Sequence, residues 1–361
     1  MPPTYYPRLD GLRALAVFGV FVEHFTYSEA IRAFHPGHIG VRLFFVLSGF
    51  LITSILLSYG DRSVRPGEAA REFYWRRFLR LSPALTVAVA LSAALGIAGM
   101  RSDWWVHLLY LTNFKAALEQ HWAGASHFWT LAVEEQFYLL WFAVAVCAPR
   151  RLLLPAIIAC LVGAPVFRAV LSPSSADFVS TLLPGQIDSL AAGALLSLIW
   201  RGASPSLDRL LTRRWLLAAS GAAALLLGAP LGWPHWISAG FFPVAINIAA
   251  ACAVRLSLNV VGPDKGLLSA APLRHVGRIS YGLYVYHYLV PPALYLFFPG
   301  LGGLEEGWAK GARVALWIVT TFAIAEISWF LIERPALKLK NVKMPVKAKL
   351  SATPMSVDLN S

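Results

Sequence analysis

"DGLRALAVFGVFVEHF", residues 10–25, reads as part of a membrane-crossing helix, yet it keeps Arg13 near one end and a Glu23–His24 pair towards the other. A charge held in hydrocarbon costs about 2.5–3.5 kcal/mol even on the lenient insertion scale, so ionisable residues retained there point to function. Arg13 and His24 are separated by about 1100° of helical rotation and therefore share a face, about 16 Å apart along the axis. Asp10 falls on the same stripe and can pair with Arg13. That face is expected to line a polar passage, with Arg13 near a cytoplasmic mouth and His24 deeper, towards the outer half. Two plainer readings compete: a positive-inside anchor for Arg13, and a hydrogen-bonded structural imidazole for His24.

The rest of the chain repeats the apolar pattern. Of 361 residues, 57% are hydrophobic and 14% charged, with a mean hydropathy of +0.60. Soluble domains carry about 25% charged residues, so a water-soluble fold is excluded. Apolar runs of about 17–25 residues, the length that crosses a bilayer, recur throughout. The expected fold is an all-α, polytopic transmembrane bundle of about ten spans, near 12–32, 39–59, 75–99, 128–148, 152–171, 185–200, 215–232, 236–256, 278–298 and 311–332. Residues 1–340 form one membrane-embedded domain, followed by a basic, disordered cytoplasmic tail at 341–361.

The net charge of +12 argues for a membrane surface and against nucleic acid because of its placement. With both termini in the cytoplasm, nearly all arginine and lysine falls in inside loops such as "DRSVRPGEAAREFYWRR" and in the tail, following the positive-inside rule. "DWWVHLLYLTNFKAA", 103–117, is apolar but short, and a crossing there would turn every later basic loop outwards. It is read as an interfacial or re-entrant piece on the outer face. The first helix lacks a small-residue cleavage site and is expected to be retained. Cys147, Cys160 and Cys252 sit in or beside apolar runs without metal-ligand spacing, so neither a disulfide framework nor a metal site is expected. No internal repeat supports an inverted-repeat transporter.

Four further stretches carry polar groups at membrane depth. In "FYWRRFLRLSP", Arg77 and Arg80 stand at i, i+3 on one face and form a natural phosphate clamp; lipid headgroups would satisfy them as well. In "SHFWTLAVEEQFYLLW", Glu134 shares a face with Thr130 and Tyr138 and needs a cationic or donor partner, for which His24 and Arg42 are candidates. An interhelical structural hydrogen bond is the competing reading. "SYGLYVYHYLV" sets Ser280, Tyr284 and His287 along one face, where the aromatics could equally form a belt. "FFVLSGFLIT" supplies Ser48–Gly49, small residues that permit close helix packing, the better default, or backbone approach to a ligand. Glu326 has no evident partner.

Together these residues resemble the acyltransferase 3 family of integral-membrane O-acyltransferases. The resemblance runs through "RLDGLRALAVFGVFVEHF", "GVRLFFVLSGFLIT", "FYWRRFLRLSPAL", "HFWTLAVEEQFYLLW", "ISYGLYVYHYLV" and "ISWFLIERP", in the family's order. The family's arginine–ten–histidine motif falls on Arg13 and His24, its arginine-x-x-arginine on Arg77 and Arg80, its serine-glycine-phenylalanine on Ser48, Gly49 and Phe50, and its outer glutamate on Glu134. The resemblance implies transfer of an acyl group, commonly acetyl, from cytoplasmic acyl-coenzyme A to a hydroxyl of an extracytoplasmic glycan or related acceptor. It also implies a multi-pass protein of the bacterial inner membrane. Acyl-coenzyme A would be a donor substrate, with no permanently bound cofactor. Arg42 stands where the family often has an acidic residue, and the proline usual soon after the late histidine comes only at Pro291. Without the extra extracytoplasmic hydrolase-like domain that some members carry, peptidoglycan-type members are expected to be the poorer guides.

On this reading His24 is the general base for the acceptor hydroxyl, Glu134 or Glu23 orients its ring, and Arg77, Arg80 and Arg13 hold the donor's phosphates. Ser48, Gly49, Tyr138, Tyr284 and His287 are expected to contact substrate. Direct transfer is preferred; a covalent acyl-enzyme on Ser48, Ser280 or His24 is the alternative. A multi-span transporter, proton-coupled or not, uses the same residues as a relay. A membrane scaffold uses them only to join helices.

Overall fold

The computed structural model describes residues 5–97, 99–122, 124–202, 216–221, 235–258, 266–303 and 307–341, with single positions at 206, 209 and 223. All regular structure among them is helical. The expected span at 215–232 and the tail at 342–361 lie largely outside the described residues.

Several long helices begin on a proline, a start signal that the sequence offers. Helix α1 (Pro7–Phe25) has proline at its first position, where the missing N–H is no loss, and it ends as Thr26 turns extended. A single turn, α2 (Glu29–Arg32), leads to α3 (Pro36–Asp61). Helix α4 (Pro66–Leu95) again opens on proline, with Glu68 in the first turn. It starts nine residues before the apolar run at 75, so the charged segment "PGEAAREFY" is helix projecting from the span. Pro83 lies inside α4, where it removes a ladder hydrogen bond. Just before it, the carbonyl of Leu81 accepts a hydrogen bond from the Tyr281 hydroxyl at 2.5 Å.

Residues 103–117 form parts of two short helices, α5 (Met100–Leu108) and α6 (Thr112–Glu119). At 1.5 Å per residue neither reaches half of a hydrocarbon core about 30 Å thick. The exposed Trp104 and Trp105 suit an interface. A 3₁₀ turn at Ser126–Phe128 opens α7 (Trp129–Phe142), which closes in a π turn at Ala143–Cys147. Then follow α8 (Leu153–Val179), α9 (Leu183–Trp200), α10 (His235–Leu258), α11 (Ala271–Tyr286), α12 (Val290–Phe297) and α13 (Gly307–Ser328). A second π turn, Trp329–Glu333, joins α13 to α14 (Arg334–Lys338).

Among the described residues, six helical stretches are long and apolar enough to cross a membrane: 29–61, 66–95, 126–147, 150–171, 239–258 and 307–338. The other expected spans within the described residues do not meet that combination of length and apolarity. Helix α1 carries four charged residues, Arg8, Asp10, Arg13 and Glu23, and is held within the bundle, packed on α3 and α11. It keeps only a narrow outward face at Leu15 and Phe18. The segment 278–298 is broken between α11 and α12. Helix α9 is buried on most sides, with Leu190, Ala191 and Ala194 inaccessible.

Helices α3 and α9 meet along a close seam. A side chain at Gly49 would overlap the main-chain carbonyl of Leu190, and one at Gly193 that of Val46. Small residues let two backbones touch, which drives association where lipid removes the hydrophobic contrast.

Candidate active site

Five helices converge on one cavity of about 140 Å³. Helix α1 contributes Arg13, whose Nη1 pairs with Asp10 Oδ1 at 2.5 Å. Helix α3 contributes Ser48 and α4 contributes Arg77 and Arg80. Helix α7 presents Thr130, Glu134 and Tyr138 in successive turns, and α11 adds Ser280, Tyr281 and Tyr284. Ser48 Oγ and the Tyr138 hydroxyl are 2.7 Å apart. Arg80 is balanced by Glu333, with Nη1 4.0 Å from Oε2, and its guanidinium lies over the Tyr281 ring. Arg77 keeps a buried Nε without a hydrogen-bond partner among the described residues. Three guanidiniums therefore face one chamber, and one has a spare donor.

The far wall of this chamber is a hydrogen-bonded closure. The Tyr284 hydroxyl donates to the His127 carbonyl at 2.8 Å and accepts from Thr130 Oγ1 at 2.6 Å. Beyond it lies a histidine cluster at the C-terminal end of α1, the end expected to face outwards. His24 Nδ1 is 3.0 Å from His287 Nε2, with Tyr288 edge-on to the His24 ring at 5.1 Å between centroids. His127 and His287 are 5.1 Å apart by the same measure. His287 is fully buried, whereas His24 is exposed. One continuous passage from Arg13 to His24 was the expectation; instead Tyr284 and Thr130 divide the space, and His24 is absent from the cavity wall.

Of the residues singled out in sequence, Arg13, Arg77, Arg80, Ser48, Glu134, Tyr138 and Tyr284 share the cavity, and His24 and His287 share the outer cluster. Two placements correct the expectation. Glu23 Oε2 accepts the Gly37 N–H at 3.1 Å, capping the start of α3; adjacent helical residues point in different directions, so Glu23 faces away from the His24 ring. Gly49 faces α9, not the cavity, because its role is close helix contact. The ring nitrogen partner of His24 is His287, not Glu134, which sits on the cavity side of the closure.

Arg42, a candidate partner for Glu134, belongs to a different network. Its Nη1 reaches Asp188 Oδ1 at 3.4 Å, Ser189 Oγ at 2.8 Å and Asn247 Oδ1 at 3.2 Å, and Arg168 Nη2 holds Asp188 Oδ2 at 2.8 Å. Glu326 pairs with His275. Residues overlooked in sequence are His127, Asp188, Arg168 and Glu333. Asp188, alone in the apolar run "LPGQIDSLAAGALLSLIW", carried the same signal as Glu134 and could have been found by it.

An all-helical bundle that gathers three arginines, Ser48 and Glu134 round one cavity fits a membrane-embedded enzyme domain, and the comparison with known proteins gives its class. The chain belongs to the acyltransferase 3 family, whose acyltransferase domain matches residues 6–333. It is similar to the putative peptidoglycan O-acetyltransferase YrhL of Bacillus subtilis, at 32% identity over 92% of this chain and 55% of the relative. It is also similar to the peptidoglycan O-acetyltransferase OatA of Listeria monocytogenes, at 29% over 92% of this chain and 56% of the relative. The O-acetyltransferase OatA of Staphylococcus aureus matches at 29% over 93% of this chain and 58% of the relative. The chain thus spans a little over half the length of these relatives. Two are named as acting on peptidoglycan, the type expected to guide poorly. No solved structure matches the chain. Family membership sides with the transferase over the transporter and the scaffold.

Proposed function

We propose that this chain is a membrane O-acetyltransferase that takes acetyl from cytoplasmic acetyl-coenzyme A and delivers it to a glycan hydroxyl on the outer side, with peptidoglycan the first acceptor to test. The observation that carries this is the convergence of Arg13, Arg77 and Arg80 in one chamber whose far wall, Tyr284, also supports the His24 cluster through its carbonyl. Guanidiniums bind phosphate through paired N–H groups, and the unpartnered Arg77 Nε is a donor ready for such a ligand. A chamber of about 140 Å³ suits a thin flexible arm better than a sugar ring, so the acceptor would approach from the exposed His24 side.

A thioester is already activated, and the remaining barrier is removal of the acceptor's proton as its oxygen attacks. His24 supplies the base, and Tyr284 swings to let the thioester through. Glu134, beside Ser48 and Tyr138, orients the donor's polar arm. A general base contributes roughly 10²–10⁴-fold to rate. His24→Ala should lower acetyl transfer by about that factor while leaving acetyl-coenzyme A binding unchanged, measured on purified protein with soluble peptidoglycan fragments as acceptor. Full activity in that variant removes the base assignment. Arg77→Ala should raise the donor KM by tenfold or more, roughly one charge-assisted hydrogen bond of about 1.5–3 kcal/mol. An unchanged donor KM removes Arg77 from the donor site.

A further inference from the structure

The contacts of His287 settle where the hydrogens sit in the outer cluster. His287 Nδ1 lies 2.7 Å from the main-chain carbonyl of Tyr284. A carbonyl only accepts, so Nδ1 carries the hydrogen. His287 is fully buried and has no carboxylate in hydrogen-bond contact among the described residues. A second proton would leave an unpaired charge out of water, which is strongly disfavoured. The ring is therefore neutral and its Nε2 presents a lone pair. Facing that lone pair at 3.0 Å is His24 Nδ1, which must donate. His24 is left with its own lone pair on Nε2, at the exposed end of α1. The His287 ring is held by Phe21, stacked at 5.6 Å, and His127 turns its Nε2 to the Val285 carbonyl at 3.1 Å, so it does not compete for His287 Nε2.

We propose that His287 is a positioning residue that fixes the Nδ1–H tautomer of His24 and thereby makes His24 Nε2 the atom that accepts the acceptor's proton. This rests on the reading of His24 as general base. In the step, Nε2 takes the hydroxyl hydrogen while the oxygen bonds to the thioester carbonyl carbon. The carbon–sulfur bond then breaks, and the departing sulfur takes the proton from Nε2 to give the free thiol. His24 Nδ1–H stays bonded to His287 Nε2 throughout. Hydrolase triads place a carboxylate at this position. Here a second imidazole, itself oriented by a main-chain carbonyl, does the same work without an unpaired anion at membrane depth.

The test uses the full chain in lipid nanodiscs, with acetyl-coenzyme A as donor and soluble peptidoglycan fragments as the acceptor probe. His287→Leu removes the acceptor for His24 Nδ1–H and should lower kcat about 10²-fold with donor KM unchanged. His287→Gln restores an acceptor and a donor and should recover kcat to within about tenfold of wild type. A rescue by glutamine and not leucine is a result that mere space-filling does not give. Wild-type-like kcat in His287→Leu, or equal losses in two folded variants, overturns the proposal. ¹⁵N-histidine NMR of the wild-type chain, with the His24 signals assigned by their loss in His24→Ala, reads the tautomer independently of any acceptor or of variant folding. Protonated Nδ1 with a bare Nε2 supports the assignment, and the reverse overturns it. An active His24→Ala would instead defeat the base reading itself, whereas an inactive His24→Ala beside an active His287→Leu defeats the positioning role alone.

Discussion

Two guanidiniums converge on Asp188 in the interior: Arg42 and Arg168, both almost inaccessible, as is the carboxylate between them. Ser189 and Asn247 supply further acceptors to Arg42. Taking one member from a buried ion pair leaves the other uncompensated, at about 3–5 kcal/mol. Asp188→Ala strands two cations and should lower the thermal midpoint in detergent sharply, with loss of expressed protein. Arg42→Ala leaves Arg168 still paired and should lower it less. Equal midpoints for the two variants would show that the carboxylate is not the hub. The same residues mark the reach of sequence reasoning. Asp10–Arg13 was legible because three residues on one helix fix their own geometry. Arg42–Asp188 was not, because its partners are 146 positions apart and meet only through the packing of α3 on α9.

At the scale of elements, the α3–α9 seam depends on close backbone approach. Gly49 packs against the backbone of Leu190, and Gly193 returns the contact against Val46 and Phe50. A main-chain carbonyl cannot rotate away as a side chain would, so a methyl group there must part the helices. Gly49→Ala should therefore destabilise by about 1–3 kcal/mol, the usual range for overpacking, and shift the Ser48–Tyr138 contact on the opposite side of α3. A thermal midpoint and donor KM both unchanged in Gly49→Ala would count against this seam. The long apolar helices were readable from hydropathy because length and composition suffice for them. Breaks were harder to see. The π turn at Trp329–Glu333 adds a residue to the helical repeat, so regular periodicity misplaces Glu333. Its carboxylate nevertheless faces Arg80 and accepts from Ser328 Oγ at 3.3 Å. Such turns gather at functional sites, and this one brings the far end of the chain to the cavity.

Across the whole molecule, charge is divided between the two ends of the bundle. Asp61, at the end of α3, pairs with Arg150 at 2.8 Å and with Arg201, so loops after α3, α7 and α9 meet at one end. Arg62, Arg65, Arg71 and Arg76 belong to the same end through the α3–α4 turn. At the opposite end lie His24, α5 and α6, where Lys115 is matched by Asp103 and Glu119. The positive-inside rule predicts a cytoplasmic arginine-rich end, the orientation that the proposed function needs if the Arg77 chamber is to take its donor from the cell interior and His24 is to meet an acceptor outside. Single cysteines test this after Cys147, Cys160 and Cys252 are replaced by serine. Ser102→Cys lies on exposed α5 and should react with a membrane-impermeant maleimide on intact cells. Gly67→Cys, with open space around it at the start of α4, should react only once the membrane is permeabilised. The opposite pattern would turn the molecule over, leaving the arginines proposed to bind phosphate on the side without coenzyme A, and no transfer between the two compartments could then follow the proposed direction.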